Sequence, residues 1–223
     1  MLTIVFDLDG TLIDTAPDLV DTLNLVLARE GLPPVPFQQA RNFIGGGARG
    51  MIERALAAEG RKCPAGELEL LYKAFIEHYA AHIADRSRPF PGLEATLGTL
   101  AAAGHRLAVC TNKLEWLSRR LLDALRLTDR FAVICGQDTF GIQKPDPEVL
   151  RLTVGRAGGD LARSIMIGDS KTDVYAARAA RVPVIAVDFG YSDVPVENLR
   201  PDRIISSFVD LPAAITDVMA ASA

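Results

Sequence analysis

Short, uninterrupted apolar runs recur along this chain, and segments with helical patterning separate the later ones. Strands covered on both faces appear as continuous apolar runs, and strands that alternate with helices build a parallel sheet. The sequence therefore predicts an α/β fold with a doubly wound parallel sheet. The expected strands are residues 2–6, 107–110, 131–135, 165–167, 182–187 and 204–205, and the expected helices between the later ones are residues 94–103, 114–125, 147–157 and 172–180.

Residues 15–86 depart from this alternation because they offer helices and no convincing strand. Apolar stripes with a period near 3.6 residues run through 19–27 and 68–83, and they predict two long helices that pack on each other. We therefore expect residues 1–14 and 87–223 to form the α/β core. Residues 15–86 are expected to form a small helical cap, inserted after the first strand.

The composition limits the kinds of partner that this chain can have. Its 223 residues carry a formal net charge of -4, which argues against nucleic acid as the main partner. No charge-free stretch approaches the ~18 residues of a membrane-spanning helix, and the first residues lack the basic region of a secretory signal. The three cysteines have no CxxC spacing, which argues against a zinc site. We expect a cytoplasmic protein, monomeric or homodimeric, with no membrane partner.

Polar side chains follow several of the predicted strands. Asp7 and Asp9 end the first strand, where residues two apart point to the same side, and such carboxylates call for a cation or a shared proton. On these residues alone, a strand end followed by an aspartate–glycine turn is an equally good interpretation. Ligand sites of doubly wound sheets lie at the carboxyl ends of the strands. The later signals at that edge are Thr111-Asn112-Lys113, Lys144-Pro145-Asp146-Pro147 and Gly168-Asp169, with Asp173 four residues on.

In this order and spacing the motifs resemble the haloacid dehalogenase superfamily of phosphotransferases over nearly the whole chain. The helical insertion is similar to that of the members with a small helical cap. The segments 110–113, 144–147 and 189–191 most resemble the bacterial phosphoglycolate phosphatase group. The resemblance implies a Mg²⁺-dependent phosphomonoester hydrolase that acts through an aspartyl-phosphate on a small phosphorylated metabolite.

The resemblance also implies a role for each motif residue. Asp7 would be the nucleophile, and Asp9 would protonate the leaving oxygen and then activate water. Mg²⁺ would lie between Asp7, the backbone carbonyl of Asp9, and Asp169, with Asp173 orienting the metal's surroundings. The phosphoryl oxygens would be held by Thr111, Asn112 and Lys144 and by the amides of Leu8 and Asp9, with Gly10 and Lys113 also at the substrate; Lys113 could equally face solvent.

Residues 45–50 satisfy the GxGxxG pattern, but no buried strand precedes them, so a dinucleotide site is not indicated. One interpretation is a flexible cap loop beside the substrate, and the other is a plain turn between helices. As a cap loop, the segment offers the amides of Gly46 and Gly47 and the cation of Arg49 to a small anion. This combination suits 2-phosphoglycolate, whose two-carbon leaving group carries a carboxylate.

Other functions fit the same motifs. A phosphomutase of the β-phosphoglucomutase kind would retain the phosphoryl group and need a sugar bisphosphate. A phosphatase for another sugar phosphate or a nucleotide is a second alternative. A binding module would hold metal or ligand without turnover, although every catalytic position is filled. Haloacid dehalogenases and phosphonatases lack a counterpart of Asp9 and are disfavoured.

Overall fold

The computed structural model describes residues 1–221 and confirms the α/β fold. Each main strand coincides with one of the predicted apolar runs within one or two residues, because a strand buried on both faces needs a continuous apolar segment. A pair of two-residue strands, β2 and β3, left no such signal in the sequence. The strands are β1 Thr3–Phe6, β2 Ile13–Asp14, β3 Arg88–Pro89, β4 Arg106–Cys110, β5 Val133–Cys135, β6 Ser164–Gly168, β7 Val184–Val187 and β8 Arg203–Ile205.

Six parallel strands form the main sheet in the order β5-β4-β1-β6-β7-β8. The first strand is therefore central, and it pairs with β4 on one side and with β6 on the other. In this register Phe6 lies beside Val109 and Ile167. The residues that follow β1, β4 and β6 consequently meet at one edge of the sheet, as the sequence predicted for its polar motifs.

The helices are α1 Ala16–Arg29, α2 Phe37–Arg41, α3 Gly47–Ala58, α4 Ala65–Ala81, α5 Leu93–Ala102, α6 Glu115–Ala124, α7 Pro147–Arg156, α8 Lys171–Ala180 and α9 Leu211–Ala221, with single 3₁₀ turns at Thr128–Arg130, Leu161–Arg163, Val196–Leu199 and Phe208–Asp210. Helices α7 and α8 pack on one face of the sheet, and α5 and α9 lie on the other. Val5 belongs to the first apolar layer, and Ile4 and Phe6 belong to the second. Among residues 1–221 no helix combines the length and the apolar character that crossing a bilayer requires.

Helices α1 to α4 lie between β2 and β3, which pair in antiparallel fashion at the point where the chain leaves and re-enters the sheet region. Helix α4 packs on α1 and on α3, so the two long helices that the apolar stripes predicted are in contact. We call residues 15–86 the cap segment. The division of the chain into a core and a separate cap stays a prediction.

The spacing of Thr15 and Asp18 predicts a capping box at the start of α1. This prediction is wrong, because no side chain caps the start of the helix. The hydroxyl of Thr15 donates instead to Asp9 at 2.8 Å. The buried carboxylate of Asp18 accepts from the amides of Arg86 and Ser87 at 3.0 and 2.8 Å. Backbone amides from a distant part of the chain thus take the place of the local cap at Asp18. Asp18 lies where the two connections between the cap segment and the sheet run side by side.

Candidate active site

Three buried carboxylates converge at the carboxyl edge of the sheet. Asp7 follows β1, Asp169 follows β6, and Asp173 lies in the first turn of α8. One oxygen from each lies within 4.8 Å of the others. A capping box between Ser170 and Asp173 fixes the start of α8 and the position of the Asp173 carboxylate. The sheet and one helix cap thus bring three of the predicted metal residues together.

The electrostatics of this group fit a divalent cation. Burial raises the pKa of Asp7 to about 6, against the lowering effect of Lys144 and together with repulsion from Asp173. Burial, followed by the charges of Asp173 and Asp7, raises the pKa of Asp169 well above its usual range. Within residues 1–221 the Oδ1 atom of Asp7 accepts no well-directed hydrogen bond. That oxygen instead pairs with the ammonium group of Lys144 at 2.8 Å. A buried set of carboxylate oxygens is the kind of ligand set that Mg²⁺ prefers.

Lys144 joins the acidic cluster from the loop before α7. Its Nζ atom lies 2.8 Å from Asp7 and 2.6 Å from Asp173, and the side chain is 2% exposed. Burial by itself would lower the pKa of Lys144, but the charges of Asp173 and Asp7 raise it above the usual value. The ammonium group is therefore charged at neutral pH. A fixed positive charge at this point can hold a phosphoryl oxygen.

Asn112 positions Lys144 through its backbone. The Asn112 Oδ1 atom accepts from the Lys144 amide at 2.9 Å, and its Nδ2 atom donates to the Lys144 carbonyl at 3.0 Å. The same Nδ2 atom lies 3.3 Å from the carbonyl of Gly45 in the cap segment. The side-chain amide is thus engaged by protein partners, and direct binding of a phosphoryl oxygen by Asn112 stays a prediction.

Asp9 lies beside the acidic cluster but has different partners. Lys113 donates from its Nζ atom to both carboxylate oxygens, at 2.9 and 3.0 Å, and Thr15 donates to Oδ1. The Asp9 carboxylate is thus engaged by a cation and a hydroxyl, and it is not one of the three carboxylates of the acidic cluster. Sequence reasoning missed Thr15 in this role, because its spacing to Asp18 suggested a local cap.

Two glycines fit tightly around Asp169. At Gly10, which has a φ of +85°, a Cβ atom would lie 2.4 Å from an Asp169 oxygen; at Gly190 it would lie 2.2 Å from the Asp169 Cβ. The amide of Gly10 donates to the carbonyl of Ile13, so this residue shapes the turn. The amide of Tyr191 donates to Asp169 at 2.6 Å. The segment 189–191, which the sequence marks only through its resemblance, thus orients one carboxylate of the acidic cluster.

A cavity of about 50 Å³ separates the acidic cluster from the cap segment. Asp7, Asp9, Thr111 and Lys113 line it from the sheet side, and Gly45, Gly47, Phe75 and Tyr79 line it from the cap side. This volume is small beside the roughly 300–1,000 Å³ of pockets for drug-sized ligands. The space suits a small leaving group.

The structure does not bring Arg49 into this group. Its guanidinium pairs with Glu69 at 2.5 Å and lies 4.0 Å from the centroid of the Tyr72 ring, and its side chain is 47% exposed. Gly47 lines the cavity, whereas Gly46 lies against the guanidinium of Arg54. Substrate binding by Arg49 and Gly46 stays a prediction.

The doubly wound sheet with an acidic cluster at its carboxyl edge defines a class of protein. Comparison of the chain with known proteins identifies that class. The model of the haloacid dehalogenase-like hydrolase family matches residues 4–187, and the chain belongs to that family. A phosphoglycolate phosphatase of Caulobacter vibrioides is 50% identical over 212 residues, which are 95% of this chain and 90% of the relative. One from Mesorhizobium japonicum is 50% identical over 96% of this chain and 94% of its own length.

A solved structure extends the likeness to the fold. The crystal structure of a predicted phosphoglycolate phosphatase from Haemophilus somnus superposes with a TM-score of 0.89 at 28% identity, and the match covers 96% of this chain and 98% of the other. This chain is accordingly an enzyme of the phosphatase class.

Proposed function

We propose that this enzyme is a Mg²⁺-dependent phosphomonoester hydrolase whose substrate is 2-phosphoglycolate. The observation that carries the proposal is the buried group of Asp7, Asp169 and Asp173 with Lys144, in which Asp7 lines a cavity of about 50 Å³. The relatives that are 50% identical over most of the chain are phosphoglycolate phosphatases, which supports the choice of substrate.

The chemistry begins with Asp7, which attacks phosphorus. A bond forms between its carboxylate oxygen and phosphorus while the ester bond to the leaving oxygen breaks. Asp9 gives a proton to that leaving oxygen and later takes one from the water that hydrolyses the aspartyl-phosphate. The contacts from Thr15 and Lys113 hold the Asp9 carboxylate in one orientation for both steps.

The surrounding residues hold the transferring group. Lys144 and Thr111 bind its oxygens, together with the amides of Leu8 and Asp9. Asp7, Asp169, Asp173 and the backbone carbonyl of Asp9 would hold Mg²⁺, which supplies positive charge to the phosphoryl oxygens when it is bound. The Gly10 turn and the Tyr191 amide keep Asp169 directed at this centre.

The cap segment accounts for substrate choice. The cavity is small, and its cap wall is mostly apolar, with Phe75 and Met51 among the lining residues. Lys113 is the cation that reaches this cavity from the sheet side. A two-carbon leaving group with a carboxylate therefore finds both its size and its charge matched. We propose that Lys113 binds this carboxylate, with the amides of the 45–50 loop.

The test is release of inorganic phosphate from a panel of phosphate esters by the purified protein. We expect 2-phosphoglycolate to have a higher kcat/KM than glucose phosphates and nucleotides, a chelator to abolish release, and Mg²⁺ to restore it. The Asp7→Asn variant, checked for folding by circular dichroism, serves as the inactive control. Preference for a hexose phosphate or a nucleotide would overturn the substrate, and full activity in excess chelator would overturn the metal requirement.

A further inference from the structure

Tyr79 has a polar group that the chemistry described so far does not use. It lies near the end of α4, its side chain is 1% exposed, and it lines the cavity on the cap side. Its hydroxyl group has no hydrogen-bond partner within residues 1–221. Buried hydroxyl groups in proteins are hydrogen-bonded in the large majority of cases, so an unpartnered one on a residue that lines the cavity calls for a ligand.

The surroundings of Tyr79 identify the kind of ligand. The Nζ atom of Lys113 lies 4.5 Å from the centroid of the Tyr79 ring, so an ammonium group rests on the ring face. Burial, followed by the charges of Asp9 and Asp18, raises the pKa of the Tyr79 hydroxyl well above its usual value. The hydroxyl is therefore a protonated donor beside a cation. A donor and a cation at one wall of a cavity are complementary to an anion.

We propose that Tyr79 is a specificity-determining residue whose hydroxyl donates a hydrogen bond to the carboxylate of the substrate's leaving group, next to the ammonium of Lys113. The ligand class is a small phosphate monoester with a carboxylate close to the ester oxygen. This proposal rests on the proposed function and deepens it, because it identifies the cap residue that recognises the leaving group. Asp9 and Thr111 act at the other end of the cavity, where the phosphoryl group binds.

The sharpest variant is Tyr79→Phe, which removes one oxygen atom and keeps the ring on which Lys113 rests. The matched control is Tyr175→Phe, because Tyr175 lies on α8 and is 48% exposed. The substrate pair is 2-phosphoglycolate and ethyl phosphate, which has the same carbon count and no carboxylate. The measured quantity is the ratio of their kcat/KM values in Mg²⁺.

We expect Tyr79→Phe to lower this ratio about 10- to 100-fold, the effect of losing one hydrogen bond to a charged group. The change should appear mainly in KM for 2-phosphoglycolate, because the carboxylate is held equally in the ground state and the transition state. The control should keep the wild-type ratio. Since Tyr79→Phe loses no hydrogen bond within the protein, its Tm should equal or exceed that of the wild type, whereas a structural role for the hydroxyl would lower it.

Binding without turnover gives a second readout. In the Asp7→Asn background, Tyr79→Phe should raise the Kd for 2-phosphoglycolate, measured by calorimetry in Mg²⁺, about 10- to 100-fold. If the wild type prefers 2-phosphoglycolate and the variant keeps both the ratio and the Kd, the role of Tyr79 is overturned and the proposed function stands. If the wild type hydrolyses ethyl phosphate as readily as 2-phosphoglycolate, the proposed substrate and this inference both fail.

Discussion

Replacing Asp7 by asparagine should stabilise the metal-free protein, although it removes the proposed nucleophile. Asp7 is buried beside Asp169 and Asp173, and its pKa is raised to about 6 from an ordinary value of 3.8, first of all by burial. Asparagine has nearly the shape of a protonated aspartate and never ionises. The variant therefore keeps the packing and avoids the cost of a buried negative charge.

The size and sign of the effect follow from this pKa. Below pH 3.8 the carboxyl group is protonated in both folded and unfolded chains, so it contributes nothing. Between pH 3.8 and about 6 the unfolded chain ionises first, and the free energy of unfolding falls. Above that window the free energy of unfolding has fallen by its full amount, about 3 kcal/mol. This is the pKa difference between 3.8 and about 6, at about 1.4 kcal/mol for each pH unit. Asp7→Asn should thus be about 1–3 kcal/mol more stable than the wild type at about pH 8 and nearly equal at about pH 4.

The assay is urea unfolding followed by circular dichroism, in a chelator, at several pH values between about 4 and 8. Addition of Mg²⁺ should then stabilise the wild type much more than the variant, because an amide is a poorer ligand than a carboxylate for this ion. Asp9→Asn is the matched control, since it removes a carboxylate that Lys113 and Thr15 already satisfy. It should be destabilised by about 1–3 kcal/mol, the opposite sign.

A metal-free Asp7→Asn protein that is less stable than the wild type at about pH 8, by 1 kcal/mol or more, would refute the reasoning. It would mean that Lys144 compensates the Asp7 carboxylate fully without a metal. Equal responses of the two proteins to Mg²⁺ would remove Asp7 from the metal site. Only the combination of a gain without metal and a smaller gain with metal agrees with a cation-binding cluster.

Two further predictions concern the cap segment. Asp18→Asn should lower the free energy of unfolding by about 1–3 kcal/mol in urea titrations, because the Asp18 carboxylate accepts from the amides of Arg86 and Ser87. Asp21→Asn, which loses only an exposed pair with Arg86, should cost less than about 1 kcal/mol, and equal losses would contradict the role of Asp18. Arg49→Ala should raise KM for 2-phosphoglycolate less than Lys113→Met does. The reverse order in a phosphate-release assay would show that Arg49 binds the substrate.

The sheet and its catalytic edge could be predicted because both depend on patterns along the chain. A parallel strand needs a continuous apolar run, and consecutive runs fix where the carboxyl ends lie. Asp7 and Asp169 follow such runs directly, so their convergence required no knowledge of side-chain contacts. The two-residue strands Ile13–Asp14 and Arg88–Pro89 are too short to carry a pattern, and they could not be recognised.

Contacts between distant segments explain what sequence reasoning missed. Thr15 and Asp18 have the spacing of a local cap, but Thr15 donates to Asp9 six residues earlier and Asp18 accepts from the distant amide of Arg86. Those partners decide the orientation of both side chains. Tyr79 belongs to the apolar stripe within residues 68–83, which predicts a long helix that packs on a second helix. Its ring is indeed buried. The position of its hydroxyl depends on how α4 packs above the sheet, which no local pattern encodes.

Helix α4 contains two tyrosines, Tyr72 and Tyr79, and a cationic side chain lies over the ring of each. The cation on Tyr72 is Arg49, whose carboxylate partner Glu69 also belongs to the cap segment. The cation on Tyr79 is Lys113, whose carboxylate partner is Asp9 at the sheet edge. A substrate carboxylate that binds Lys113 therefore competes with Asp9 for the same ammonium group, whereas one that binds Arg49 would leave Asp9 undisturbed. Under the proposed function, the leaving group and the residue that protonates it would share one cation, and Lys113 would link substrate choice in the cap segment to the chemistry at the sheet edge.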